Sequence, residues 1–453
     1  MTESEVVADR HPANAADRIG IVRRFLAWTQ RADTEDRAEA VSALARAYLY
    51  SDFTGQARAE AELGLTAVLD DPSALVRRAL AEAFASAADA PRHIVLSLAN
   101  DQSDVASVVL ARSPALADAE LVDCAAMGDV FAQGAVARRP RLSAGVAAAL
   151  AEIGERDAVL ALADNLEADL SAGALWRVFE RFGDDAEMRE TLLTRAWLPA
   201  ALRNELAAAT ARTLADFATR CGWLSAQRAD RIARDAREQA TVTIARASEG
   251  DEVGELVRRM RSSGTLTIAV LMRALLCGDS DFFIHATAEL SGMPARRAAA
   301  FARSPASHGF GALYAKAGLP AAFLSAFRVA VAGARLAHGD RLSLSLAERV
   351  IAAAERETDP AVAPLRALLA RLSGEAAREE ARAFAGDAVL FAAPRPQLAA
   401  LSYAPLLIDA VAAALEDCAA PPVETLRGGF DHDDQAPPVQ LPADMLAALD
   451  AAA

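Results

Sequence analysis

Six histidines, four cysteines and a scatter of serines are the residues of this 453-residue chain with reactive side chains. Their spacing decides what chemistry is open to them. His11, His93, His285, His308, His338 and His432 stand far apart, and no two fall at HExxH or a related spacing that presents two metal ligands on one helix face. The densest ligand cluster, Asp431-His432-Asp433-Asp434, sits in a Pro/Gly-rich acidic stretch and reads as a solvated charge run. Cys124, Cys221, Cys277 and Cys418 form no CxxC pair, and each lies in a helical context as a buried small hydrophobe. Ser304, Ser307 and His308 meet in FARSPASHGFG, but a triad is assembled by folding from distant segments, not by local adjacency. GFGALYAKAG lacks the GxxxxGK[ST] spacing of a phosphate loop. Lys316, the only lysine, suits a helix end before Gly318, where a cation complements the helix dipole. The sequence thus nominates no catalytic residue, no metal site and no cofactor.

Three weaker constellations carry a pattern. Arg273, Asp279, Asp281 and His285 lie together in RALLCGDSDFFIH and are the first side chains to consider for a ligand or catalytic site where two helical halves meet. A partly buried helix histidine is the plainer reading of His285. Arg112, Arg138, Arg139 and Arg195 stand just before successive inter-helix turns. A regular stack would align them as a ladder for acidic side chains or phosphate. Arginines satisfying helix C-terminal carbonyls are the simpler alternative. Leu441, Met445, Leu446 and Leu449 in QLPADMLAALDAAA have helix-in-groove spacing, for docking on a partner or back on the chain itself.

The elements that must position these residues are helices. Hydrophobic residues make up 53% of the chain and aromatics 5%, with alanine supplying much of the difference. Alanine is the strongest helix former, and this balance predicts an all-α protein. LARSPALADAEL at Leu110 returns as VARRPRLSAGV at Val136, 26 residues on, and LSAG at Leu142 returns at Leu170 after 28. Gly128, Gly154 and Gly183 punctuate the same units. A drifting period in this range predicts stacked helical hairpins. Each unit runs a short helix into a proline, which expels the preceding residue from helical geometry. Ser143 and Ser171 then sit where N-caps are needed, Leu175, Val178, Phe179 and Phe182 keep buried-face spacing, and Asp184 is placed to cap the following helix. Asp71-Pro72 followed by Val76-Arg77-Arg78 is a HEAT-type pattern. The expected fold is a HEAT-like α-solenoid with a period of about 26–28 residues, followed by a helical C-terminal domain. Its expected divisions are a disordered N-terminus at 1–18, the repeat domain at 19–224, bridging helices and a hinge at 225–264, the C-terminal domain at 265–420, and at 421–453 a Pro-rich acidic linker with a short amphipathic helix.

Charge narrows the function. The formal net charge of −15 disfavours a nucleic-acid partner, whose binding face would be basic. No apolar run approaches the roughly 20 residues of a membrane span, and MTESEVVADRHPANAADR has neither the basic nor the apolar region of a secretory signal. The chain is expected to be cytoplasmic.

LVRRALAEAFA, ARRPRLSAGVAAALAEIGE and above all LMRALLCGDSDFFIHATAELSGMP with GFGALYAKAGLP resemble a bacterial family of domain-of-unknown-function proteins with HEAT-like repeats. The resemblance spans about Leu65 to Ala334. It implies an all-helical repeat fold and lends no catalytic residue or cofactor. Together these readings point to a non-catalytic scaffold or adaptor that binds an unidentified protein along a helical-repeat surface. The alternative is a small-ligand sensor or enzyme with its site at the junction of the two halves.

Overall fold

The computed structural model describes residues 25–53, 55–336 and 341–392, with residues 386–392 described by their backbone alone. Among the described residues all regular structure is helical, and no helix is long and apolar enough to cross a membrane. The chain divides into two compact units, Met1–Ala383 and Phe384–Ala453, and only the end of the last helix is described in the second.

The first helices are α1 (Thr34–Tyr50), α2 (Gly55–Ala67) and α3 (Ala74–Phe84). Eight short ones follow: α4 (Arg92–Ala99), α5 (Ser103–Arg112), α6 (Asp118–Met127), α7 (Val130–Ala137), α8 (Ala144–Ile153), α9 (Arg156–Asp164), α10 (Ala172–Phe182) and α11 (Ala186–Leu193). They pack in two rows. Helices α1, α3, α5, α7, α9 and α11 each touch the next in one row, and α6, α8 and α10 do so in a second. One apolar core from Val41 to Leu206 runs between them, built largely of Ala, Val and Leu.

Local chemistry explains the helix boundaries. Ser143 and Ser171 accept from the N–H groups of Val146 and Ala174 and so start α8 and α10 as expected. The cap of α11 is Asp185, not Asp184; its carboxylate accepts from Glu187 and Met188. Gly183 is still in helical conformation, which moves the start of α11 one residue on. Gly128 and Gly154 follow α6 and α8 directly. A Cβ on either would lie 2.6 Å from the carbonyl oxygen four residues back, so close approach rather than a special φ selects glycine there. Leu175 and Val178 are buried as predicted, whereas Phe179 and Phe182 are half-buried.

Residues of the 71–78 stretch tie neighbouring elements together. Arg37 forms a two-pronged pair with Asp71 (3.0 and 3.1 Å), and Arg77 does the same with Asp101 (2.6 and 2.8 Å). Both arginine side chains are only 15% exposed, which limits the solvent screening that weakens surface pairs.

After α11 the helices lengthen. α12 (Ala200–Arg220) and α13 (Ala226–Arg246) pack along each other as a hairpin turned at Gly222, whose φ of 71° lies in the left-handed region. Next come α14 (Asp251–Ser262), α15 (Ile268–Leu276), α16 (Ser280–Ser291), α17 (Ala295–Ala302), α18 (His308–Lys316), α19 (Leu324–Ala334), α20 (Leu344–Glu355) and α21 (Ala363–Ala392). A second core joins Ala200 and Ala201 to residues from Val242 through Ala376. At its centre Phe283, Phe310, Tyr314 and Phe327 stack with ring centroids 5.4–6.3 Å apart. Tyr314 donates its hydroxyl to the carbonyl of Pro320 at 3.0 Å, which satisfies the one polar atom of the cluster.

Candidate functional site

Three of the four junction residues meet. Asp279, Asp281 and His285 line a pocket of about 580 Å³ between the end of α13, the start of α14 and the first turns of α16 and α17. Asp279 is there because it caps α16: one carboxylate oxygen accepts the N–H of Phe282 at 2.9 Å. Its other oxygen is buried without a hydrogen-bond partner, and burial pushes the carboxyl above its ordinary range. His285, one turn beyond Asp281 on α16, sits across from Gly254. Arg296 of α17 and Ser248 complete the opposite walls. Arg246 donates to the carbonyl of Cys277 at 2.6 Å and so ties the end of α13 to the end of α15. The pocket therefore offers carboxylates, an imidazole and a guanidinium to a polar guest. Among the described residues no group of three His, Cys, Asp or Glu side chains is arranged to hold a metal ion.

Arg273 lies elsewhere. It is 1% exposed on α15 and forms two bonds to the Glu375 carboxylate of α21, at 2.7 and 2.8 Å. Glu238 of α13 approaches Arg273 at 3.9 Å and Arg371 of α21 at 3.5 Å, and Arg371 also pairs with Asp235. Three carboxylates thus share two guanidiniums across three helices. One oxygen of Glu238 has no hydrogen bond, and burial raises its carboxyl above the ordinary range despite both arginines. This cluster fastens α21 to α13 and α15.

The arginines before the turns divide into two kinds. Arg139 donates to the carbonyls of Leu110 and Ser113 (2.6 and 2.8 Å), and Arg195 to those of Ala163, Asn165 and Ala168 (2.9–3.1 Å). Both are partly buried, and desolvation moves both below the ordinary arginine value. They close the C-terminal end of the helix one unit earlier, where carbonyls lack partners within their own helix. Arg112 and Arg138 are exposed. Two members of this pattern are not evident from composition: Asn165 bonds the carbonyls of Ala137 and Arg139 at 2.8 Å, and Arg181 those of Ala151 and Gly154 at 2.8 Å. Their shared signal is a polar residue 26–30 positions after its acceptor.

A further arrangement escaped the spacing of residue types. Thr66 Oγ lies 2.9 Å from His93 Nε2, and His93 Nδ1 lies 3.7 Å from Glu62. The order is that of a nucleophile, base and carboxylate. However, Thr66 gives its proton to the carbonyl of Glu62 at 2.8 Å, and the imidazole is 53% exposed, so the hydroxyl is not poised for attack. Ser307 likewise serves structure: it caps α18 and donates to the carbonyl of Ser304. Cys124 and Cys277 are buried as expected, whereas Cys221, at the end of α12, is partly exposed. Leu441, Met445, Leu446 and Leu449, like His11, His338, His432 and Cys418, lie outside the described residues.

No curated protein and no solved structure matches the chain. One family does, by its sequence model, over residues 105–366, which is more than half of the chain. The match takes in the carbonyl-closing arginines, the pocket at Asp279 and the aromatic cluster. The chain belongs to this family, DUF2336, described as an uncharacterised protein conserved in bacteria.

Proposed function

We propose that the chain is a protein-interaction scaffold of the bacterial cytoplasm, in which the two rows of short helices form a HEAT-like α-solenoid. On this reading the described helices from 265 onward make a second domain joined through 225–264. The observation that carries it is a strip of exposed apolar side chains at equivalent turns. Met127 is 86% and Phe131 68% exposed at the α6–α7 turn, and Ile153 is 40% exposed at the next turn of the same kind, between α8 and α9. Those turns are neighbours: α6 packs on α8, α7 on α9, and the Gln133 side chain accepts the N–H of Glu155 at 2.8 Å. Exposed apolar side chains grouped at neighbouring turns mark a contact site for another protein. The test is affinity capture from native cytoplasm with the full chain and with its Met127→Glu/Phe131→Glu variant. A stoichiometric partner retained by the first and lost by the second is expected. Capture of nothing, or of the same protein in the same amount by both, refutes the reading.

The pocket at Asp279 favours a second reading, a small polar ligand bound at the junction, because it holds a buried carboxylate oxygen with no hydrogen-bond partner among the described residues. A ligand screen read by thermal stabilisation, with Asp279→Asn as control, tests it.

A further inference from the structure

The outer part of the α12–α13 hairpin belongs to neither core: between Thr210 and Arg237 only Ala229 is buried. Its base is pinned by a buried bond of 2.6 Å from Thr241 to Asn204. Its outer part differs from the rest of the protein in charge. From Arg212 to Arg237 there are six arginines against three aspartates, in a chain of net charge −15. Arg212, Arg220, Arg228, Arg231 and Arg234 are all exposed, and none of them forms an ion pair among the described residues. Several arginines elsewhere are paired, as Arg37, Arg77, Arg156, Arg177 and Arg273 are.

Between the two helices runs a groove of about 340 Å³. Ala208 and Ala215 on α12 and Ala233 on α13 give it a floor of small side chains, and Arg212, Arg234 and Arg237 stand along it. These positions repeat at three, four and seven residues, so each helix contributes one continuous stripe. A floor of alanines lets a third helix lie close to both backbones. We propose that this groove receives an acidic helix of a partner protein, its carboxylates on Arg212, Arg234 and Arg237 and its small side chains on the alanine floor. The proposal rests on the scaffold reading and names the chemistry of one partner. Asp216 and Asp230 line the same groove, which decides against a phosphate polyanion. A nucleic-acid backbone would be repelled there at each step, whereas a helix can place alanines opposite the aspartates.

The experiment uses the full chain and a fluorescein-labelled 20-residue helical peptide of Glu, Ala and Leu with its carboxylates along one face. Its Glu→Gln twin, a DNA duplex and phosphatidylglycerol vesicles serve as alternative probes. The acidic peptide is expected to bind saturably, to weaken as salt is raised, and to lose at least about tenfold in affinity in the Arg212→Ala/Arg234→Ala/Arg237→Ala variant, as three partly screened arginine–carboxylate contacts would give. Unchanged circular dichroism and melting of that variant show that the fold survives, and Arg349→Ala, at an exposed arginine of α20, should bind as the parent does. The proposal is overturned if the peptide does not bind, if the neutral twin or the triple variant binds equally well, or if DNA or vesicles bind more tightly than the peptide. The Met127→Glu/Phe131→Glu capture reads the scaffold separately, so loss of peptide binding with capture intact refutes the groove alone.

Discussion

Replacing Arg273 by methionine removes the cation at which α13, α15 and α21 converge. The arginine side chain is 2% exposed, and Glu375 and Glu238, 20% and 10% exposed, face it. Stranding a buried carboxylate costs about 3–5 kcal/mol, and the partial access of Glu375 to water puts the expected loss near about 3 kcal/mol. In a cooperative unit of roughly 150–250 residues that lowers the melting temperature by roughly 6–12 °C. Urea unfolding followed by far-UV circular dichroism at pH 8 reads the free energy directly. A pH series adds a sign. Burial holds the Glu238 carboxyl above its ordinary range, so the folded chain binds that proton more tightly than the unfolded one. The stability it brings is full below the ordinary carboxylate range and is lost as pH rises through the raised value. Without Arg273 the Glu238 charge is offset chiefly by Arg371, so the deficit should be larger at pH 8 than at pH 5. The double variant Arg273→Met/Glu375→Leu removes both charges of the two-bond pair and should recover most of the loss, to within about 1 kcal/mol of the parent. A single variant that loses less than about 1 kcal/mol, or a double variant as unstable as the single, refutes this account of the cluster.

Glu238→Gln should stabilise the chain at pH 8 or leave it unchanged, and should flatten the rise in stability on acidification; a stability loss at pH 8 with the slope intact counts against it. Ser171→Ala removes the cap of α10 and should cost about 1 kcal/mol in the same urea titration. Gly333→Ala drives a Cβ into the buried Leu346 side chain, which must shift against its neighbours, at about 1–3 kcal/mol. Burial pushes the Cys277 thiol up to about 11. In the native chain it should therefore resist alkylation at pH 8 and label only on unfolding, as mass spectrometry of tryptic peptides will show.

The first rows of helices were legible because their boundaries are written in local chemistry. Ser143, Ser171 and the glycines at 128 and 154 act within four residues of themselves, so spacing alone reveals them. Asp185 displaced Asp184 because the choice depends on whether Gly183 stays helical, a single dihedral that composition does not record. The junction quartet separated for a similar reason. Arg273 and Asp279 are neighbours in sequence but lie on different helices, α15 and the cap of α16, and the partner that claims Arg273 is 102 residues away. No local pattern reports a contact of that range. The hairpin groove was unreadable because its meaning lies in the absence of pairing, which needs every carboxylate nearby to be placed first.

The carbonyl-closing side chains also bear on how the chain emerges from the ribosome. Between Leu110 and Ala168 the donors Arg139, Asn165, Arg181 and Arg195 follow their acceptors by 26–32 residues. A nascent chain that has reached Ala137 leaves the last carbonyls of α5 open to water until Arg139 arrives. The arrival of Asn165 and then Arg195 closes α7 and α9 in turn. Assembly is thus directional: each unit is completed by the one made after it, and synthesis halted inside this stretch always leaves its newest helix pair unfinished.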